Sequence, residues 1–143
     1  MGGLGPMAGQ AHHFRMYAPQ FTKEKLTYSK KRYTNEVNRL YGVMNKQLRK
    51  NDYLAGRYSI ADMACWGWVL PSKISTKMQG QKLKDFPYLF KWFEKVGART
   101  AVQKGLDVGK VMRMLAKASR SGLSEKTKEA KKARSLLFNQ KAR

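Results

Sequence analysis

Apolar residues recur at helical spacing along most of this chain. Between Tyr28 and Lys50 they stand three or four positions apart, and basic or polar residues fill the positions between them. This pattern predicts a long amphipathic helix with a basic outer face. Its predicted core positions are Tyr33, Val37, Leu40, Tyr41, Met44 and Leu48. No segment alternates between apolar and polar residues as a half-buried strand would, so the pattern predicts an all-α helical bundle.

A second helix is predicted in the middle of the chain, where residues 56–71 have the sequence GRYSIADMACWGWVLP. Ser59 and Asp62 have the spacing of a structural capping box, in which the serine oxygen accepts from a free backbone N–H and the carboxylate reaches back to the cap. Apolar residues then follow on almost every face, which is typical of a helix in the middle of a bundle. We predict a structural role for Asp62 rather than a catalytic one, because no second carboxylate stands close to it in sequence.

Shorter helices are predicted on both sides of this one. Residues 4–18 form a first helix that YAPQFT ends, because Pro19 disfavours a helical conformation in the residue before it. Pro87 suits the first turn of a later helix.

The last 34 residues contain eleven basic and two acidic residues, so the composition changes there. We predict a helical domain over residues 1–109 and a basic helical extension over residues 110–143.

The net charge is the outlying property of the composition. The chain has 30 Lys and Arg against 9 Asp and Glu, a formal charge of +21. Such a surface repels itself and is best matched by a polyanion, with nucleic acid as the first candidate and an anionic membrane as the second. Acids are scarce around the basic clusters, so a merely solvated helix face is the less favoured interpretation. The residues predicted to contact RNA phosphates are Lys30, Lys31, Arg32, Arg49, Lys50, Lys126, Lys128, Lys131, Lys132 and Arg134.

Other kinds of site are poorly supported by the sequence. The only cysteine, Cys65, lies in the apolar helix and is predicted to be an inert buried thiol, so neither a disulfide framework nor a cysteine zinc site is expected. His12 and His13 are adjacent on a helix, where their side chains diverge, and no further histidine completes a ligand set. We therefore predict no metal and no cofactor. No apolar run reaches eighteen residues, so no membrane span is predicted.

Several motifs in the same order resemble the C-terminal helical domain of glutathione transferases, in the nu-class or Ure2-like group. They are GGLGPMAGQAHHF, YAPQ, RYTNEVNRLYGVMNKQL, YLAGRYSIADMACWGWV, FPYLFKWFEKVGART and AVQKGL, and they cover about residues 1–107. The resemblance implies that the capping box is the folding box of that family. It also places His12 and His13 near the family's active-site cleft. Some relatives have a glutathione-contacting arginine in the region of Arg32 and Arg39.

The resemblance further implies a thioredoxin-like N-terminal domain, which binds most of the glutathione and activates its thiol. That domain is not found in this sequence, so we expect no enzymatic activity from the chain alone. Together with the charge, this favours a structural RNA-binding protein of a large ribonucleoprotein. The specific prediction is a mitochondrial ribosome in the matrix, with ribosomal RNA and neighbouring proteins as partners.

Alternative functions remain open at this point. The chain can be a detached helical half of a glutathione transferase that is active only with a thioredoxin-like partner. It can also be a protein-interaction adaptor of the translation machinery, because similar helical domains act as assembly modules there. Binding of the basic extension to an anionic membrane surface is a further alternative. The sequence leaves dimerisation undecided.

Overall fold

The computed structural model describes residues 2–109, and helices dominate this part of the chain. Residues 100–109 are helical, and two 3₁₀ turns lie at Ala18–Gln20 and Leu83–Asp85. Across residues 2–109 there is no β-strand, only one isolated bridge between Ala55 and Arg57. The all-α prediction is confirmed. The helices are α1 (Leu4–His12), a π-helical turn (His13–Tyr17), α2 (Thr27–Leu48), α3 (Ile60–Ile74), α4 (Thr76–Gln79) and α5 (Pro87–Gly97).

The chain divides into two compact units, Met1–Gly97 and Ala98–Arg143. The first unit contains α1 to α5. The predicted division after residue 109 and the predicted helices of the basic extension lie at or beyond the end of the described residues, so they stay predictions. Among the described helices, none is long and apolar enough to cross a bilayer.

The long helix α2 packs against both α1 and α5 in the first unit. Val37, Tyr41, Met44 and Leu48 are buried along its inner face, as their spacing predicts. The next helix to pack against α2 begins at Pro87, and Asn45 of α2 caps it. The Asn45 Oδ1 atom accepts from the backbone N–H groups of Tyr88 and Leu89 at 2.9 and 3.0 Å, which satisfies two donors at the start of α5.

Glycines allow α1 and α3 to approach closely. A Cβ atom on Gly5 would lie 3.2 Å from the indole nitrogen of Trp68, and one on Gly9 would lie 3.5 Å from the same ring. The backbone of α1 therefore packs directly against the Trp68 ring. The indoles of Trp66 and Trp92 and the ring of Phe93 are buried.

The helix α3 is not covered on all sides, and the prediction that it lies in the middle of the bundle is wrong for one of its faces. Cys65, Trp66 and Val69 on the inner face are buried. On the opposite face, Ile60 is 81% exposed and Ile74 is 64% exposed. An apolar sequence on every face predicts burial on every face, but within residues 2–97 the helices pack against only one face of α3.

Candidate functional site

The capping box at the start of α3 belongs to a larger buried network centred on Asp62. This side chain is fully buried. Its Oδ2 atom accepts from the backbone N–H of Ser59 at 3.0 Å, and the Ser59 hydroxyl in turn accepts from the N–H of Ala61. Its Oδ1 atom accepts from the N–H of Leu54 at 3.0 Å and from the Trp92 indole at 2.8 Å. These donors compensate the buried charge, so the carboxylate ties the loop before α3 to α5 and has a structural role.

A second buried polar cluster joins α2, α3 and α4. The hydroxyl of Tyr41 donates to the Oε1 atom of Gln79 at 2.9 Å and lies 3.1 Å from the hydroxyl of Ser72. Ser72 donates to the same Oε1 atom at 2.7 Å, and the amide nitrogen of Gln79 donates to the carbonyl oxygen of Trp68. Burial raises the pKa of the Tyr41 phenol to about 12. The cluster therefore holds a neutral tyrosine in the core.

The end of α1 presents an imidazole and aromatic surface, which we call the π-turn surface and define by His12, His13, Phe14 and Tyr17. The rings of His12 and Tyr17 stack with centroids 5.2 Å apart, and His13 lies 6.4 Å from the same tyrosine. The two histidines therefore border one ring rather than diverging fully, because the π-helical turn widens the backbone here. Partial burial lowers the pKa of His12, which favours a neutral imidazole at pH 7.

Arg15 holds the π-helical turn against the rest of the unit. Its Nε atom donates to the carbonyl oxygen of Lys77 at 2.9 Å, and its Nη1 atom donates to the hydroxyl of Thr34 at 3.4 Å. Gly80 lies directly beneath, with a φ of 75°. A Cβ atom there would lie 2.7 Å from the Thr34 methyl group, so both the space and the backbone require glycine.

The exposed face of α3 is a continuous apolar surface, which we call the α3 stripe and define by Ile60, Met63, Gly67, Leu70 and Ile74. The positions are separated by three or four residues, so they share one side of the helix over its whole length. Met63 is 56% exposed, and Leu70 is half-buried. An exposed apolar surface of this kind is typical of an interaction site.

Cys65 faces the opposite side of the same helix and is buried. Burial raises the pKa of its thiol. The thiolate, which is the nucleophilic form, is therefore disfavoured at neutral pH. The residues described here also contain no group of three His, Cys, Asp or Glu side chains that could hold a metal ion.

The basic residues predicted from the sequence fall at separate places. Lys30, Lys31 and Arg32 lie near the start of α2, whereas Arg49 and Lys50 follow its end. About eighteen residues of helix separate the two groups, roughly 27 Å. They do not form a single patch. Lys126, Lys128, Lys131, Lys132 and Arg134 lie outside the described residues.

Arg32 lies in a shallow hollow of about 480 Å³ on the outer face of α2, together with Tyr28, Lys31 and Arg39. The Arg39 guanidinium donates to both carboxylate oxygens of Glu36, at 2.9 and 2.8 Å. The hydrogen bond from Arg39 holds the pKa of Glu36 below its usual range. Arg32 is the other arginine of this hollow. Within residues 2–109, its guanidinium forms no salt bridge with a carboxylate like the one between Arg39 and Glu36.

Comparison with known proteins identifies the family. Residues 11–106 match the family described as "Glutathione S-transferase, C-terminal domain". The match covers more than half of the chain, and the chain belongs to this family. The resemblance inferred from the motifs is confirmed.

Curated relatives include two enzymes of Escherichia coli. The disulfide-bond oxidoreductase YfcG is 42% identical over 107 residues, which are 74% of this chain and 46% of the relative. The disulfide-bond oxidoreductase YghU is 34% identical over 72% of this chain and 36% of the relative. This chain therefore spans less than half the length of these relatives.

Solved structures of glutathione transferases share the fold. A structure from Burkholderia graminis, with two glutathione molecules bound per subunit, is 36% identical with a TM-score of 0.65, over 75% of this chain and 45% of that one. A structure from Pseudomonas putida, with one glutathione disulfide bound per subunit, is 34% identical with a TM-score of 0.63, over 74% and 46%.

These findings overturn the function predicted from the charge. The prediction of a non-enzymatic structural RNA-binding protein of a mitochondrial ribosome is wrong. The relatives are named as glutathione transferases and disulfide-bond oxidoreductases, and the solved ones hold glutathione or glutathione disulfide, so RNA and ribosomal proteins are not supported as partners. The physical reason is that net charge favours anionic partners in general without specifying one. The cellular location, predicted as the mitochondrial matrix, is tested by none of these findings.

Sequence reasoning missed several residues that organise the site. The Trp92 bond to Asp62 spans 30 positions, and the bonds of Gln79 and Arg15 connect separate elements. Gln79 and Gln81 are both buried. The one signal available there is an uncharged glutamine pair in an otherwise lysine-rich segment.

Proposed function

We propose that this chain is the helical part of a glutathione-dependent transferase or disulfide-bond oxidoreductase, and that it acts together with a thioredoxin-like half. The identity to the two Escherichia coli oxidoreductases supports the activity class. The share of each relative that this chain spans, 46% and 36%, supports the need for a second half. The thioredoxin-like nature of that half follows from the family resemblance.

The observation that carries this proposal is the α3 stripe. It is an exposed apolar face on a helix whose other face is the core of the domain. Burying such side chains contributes about 25 cal/mol per Å² of apolar surface, so a second half has a strong driving force to dock there. The stripe runs over the 15 residues of α3, about 22 Å, which is the scale of an interdomain contact.

The chemistry of this chain agrees with a supporting role. Its single cysteine is a buried thiol with a raised pKa, which disfavours nucleophilic attack on a disulfide. The reactive thiol is therefore that of glutathione, activated by the other half. This chain contributes the wall of the glutathione site. The π-turn surface and Arg32 are the candidates for that wall, because a guanidinium suits a glutathione carboxylate.

The proposal is tested in a chimera of the Escherichia coli protein YfcG, in which this chain replaces the matched segment. We expect the chimera to bind glutathione by calorimetry and to reduce a small disulfide with glutathione as the electron donor. The 143-residue chain alone is the matched control and should do neither. A chimera that melts cooperatively but does not bind glutathione would contradict the proposal.

A further inference from the structure

Basic side chains line a hollow between the end of α2 and the outer face of α5. Its volume is about 470 Å³, within the size range of small-molecule sites. Leu48 and the buried Trp92 belong to its lining, and Gly56 lies on one side. We call it the basic hollow. Its charged residues are Arg49, Lys50, Asp52, Lys91 and Lys95.

One of these cations has an acidic partner at the surface. The ammonium group of Lys95 lies 3.1 Å from the Asp52 carboxylate and 4.6 Å from the centre of the Tyr53 ring. Asp52 is the only acidic residue that lines the hollow. Three basic side chains therefore remain around the hollow without an acid there to pair with them.

Lys91 is an exposed lysine that has no ion-pair partner within residues 2–109. Glu94 stands three positions later on the same helix, at the spacing of a helical ion pair. The Glu94 carboxylate is instead 2.6 Å from Lys73. Lys91 also precedes Lys95 by four positions, a spacing at which like charges destabilise a helix. No hydrogen bond or ion pair joins the Lys91 side chain to another residue in the range 2–109.

Interaction with a helix dipole stabilises only some of the basic residues around the hollow. Arg49 and Lys50 follow α2, where basic side chains interact favourably with the negative end of the helix dipole. Lys91 gains nothing in this way, because it lies in the middle of α5. A ligand that brings negative charge to the hollow would satisfy all three cations at once.

We propose that the basic hollow is a binding site for a small oxyanion with at least two negative charges, carried by phosphate or carboxylate groups. Arg49 offers a planar fork of donors, and the two lysines offer point charges. The apolar floor formed by Leu48 and Trp92 excludes water beneath the ligand, which strengthens the ionic contacts. This site is separate from the proposed glutathione function and does not rest on it.

The test uses the complete 143-residue chain and two probes, inorganic pyrophosphate and citrate, titrated by calorimetry at one fixed ionic strength. We expect saturable binding of one molecule per chain. The probe that binds more tightly tells whether the natural ligand presents phosphates or carboxylates. No thioredoxin-like half is added, so the outcome is independent of the glutathione experiment.

Single-charge variants distinguish the hollow from the general charge of the chain. Lys91→Gln and Arg49→Gln should each weaken binding of the tighter probe by roughly tenfold, the loss expected for one charge-assisted contact. Lys46→Gln is the matched control, since it removes one exposed charge of α2 outside the hollow and should change the affinity less than about twofold. Equal weakening by all three variants, or no effect of Lys91→Gln, would overturn the site. So would the absence of saturable binding.

Discussion

At the scale of single residues, burial changes the chemistry of a few polar groups far more than their sequence neighbours do. The two oxygens of Asp62 accept hydrogen bonds from backbone and indole N–H groups in the core. Tyr41 is equally buried, but it remains neutral and its hydroxyl donates a hydrogen bond to the Oε1 atom of Gln79. The physical difference lies in the partners, since donors stabilise an anion whereas a carbonyl oxygen stabilises an O–H group.

This difference predicts a specific loss of stability at alkaline pH. The pKa of Tyr41 rises from 10.0 to about 12 on folding, so between these values the unfolded chain releases a proton that the folded chain retains. The stabilisation is fully present below pH 10 and is lost as the pH rises to 12. About two pKa units correspond to about 2 to 3 kcal/mol.

The Tyr41→Phe variant isolates this contribution from the other tyrosines and lysines that titrate in the same range. At about pH 9 we expect the variant to be about 1 kcal/mol less stable, because a buried hydrogen bond is lost. Denaturant unfolding between about pH 9 and 12 should then show the natural chain losing more stability than the variant. Parallel curves for the two proteins would exclude the shifted phenol.

At the scale of elements, two glycines differ in whether the fold requires them. Gly80 ends α4 with a φ of 75° against Thr34 and Arg15. Gly42 lies within α2 and is exposed, and a Cβ atom there would meet no other atom within 4 Å. The first glycine is required by the fold, whereas the second only adds flexibility to the unfolded chain.

These two glycines predict opposite effects of the same substitution. Gly42→Ala should raise the free energy of unfolding by about 0.5–1 kcal/mol, the difference in helix propensity. Gly80→Ala should lower it by about 1–2 kcal/mol, because an alanine is strained in the left-handed region. Urea unfolding followed by circular dichroism measures both. Stabilisation by both substitutions would contradict the strain at Gly80, and destabilisation by both would contradict the helix-propensity gain at Gly42.

At the scale of the whole molecule, the α3 stripe is the feature that the described fold leaves without a covering element. A domain whose central helix is half exposed is consistent with relatives that are more than twice as long as the matched segment. The stripe is therefore expected to become core when a second half docks. Its side chains should matter little to this chain alone and strongly to the assembled protein.

Substitutions on the stripe test this expectation directly. Ile60→Ser and Met63→Ser should each destabilise the YfcG chimera by about 1.5–3 kcal/mol, the value of burying a large apolar side chain. Both should leave the thermal melt of the isolated chain nearly unchanged. Val43→Ser is the matched control, since Val43 is 55% exposed and Met63 is 56% exposed. Equal destabilisation of chain and chimera by the stripe variants would argue against docking on α3.

The sequence by itself determined the all-helical class, the inner face of α2 and the family. Helical spacing, the Ser59 and Asp62 box and the position of Pro87 are local features, and local hydrogen bonds and packing produce them wherever the chain folds. The buried positions Val37, Tyr41, Met44 and Leu48 follow from the same spacing. The motifs along residues 1–107 carried the family, because their order and content are specific.

Only the tertiary structure decided how many faces of each helix are covered and which distant residues meet. Ile60 and Trp66 are both apolar residues of α3, but one is exposed and the other is buried, since neighbouring helices cover one side. The bond between Asp62 and Trp92 and the left-handed φ of Leu26 likewise have no local signal. Net charge is a sum over the whole chain, so it contains no information on where unpaired cations converge. The unpaired cations converge at the basic hollow because α2 packs against α5. That packing is formed by residues that are distant in sequence.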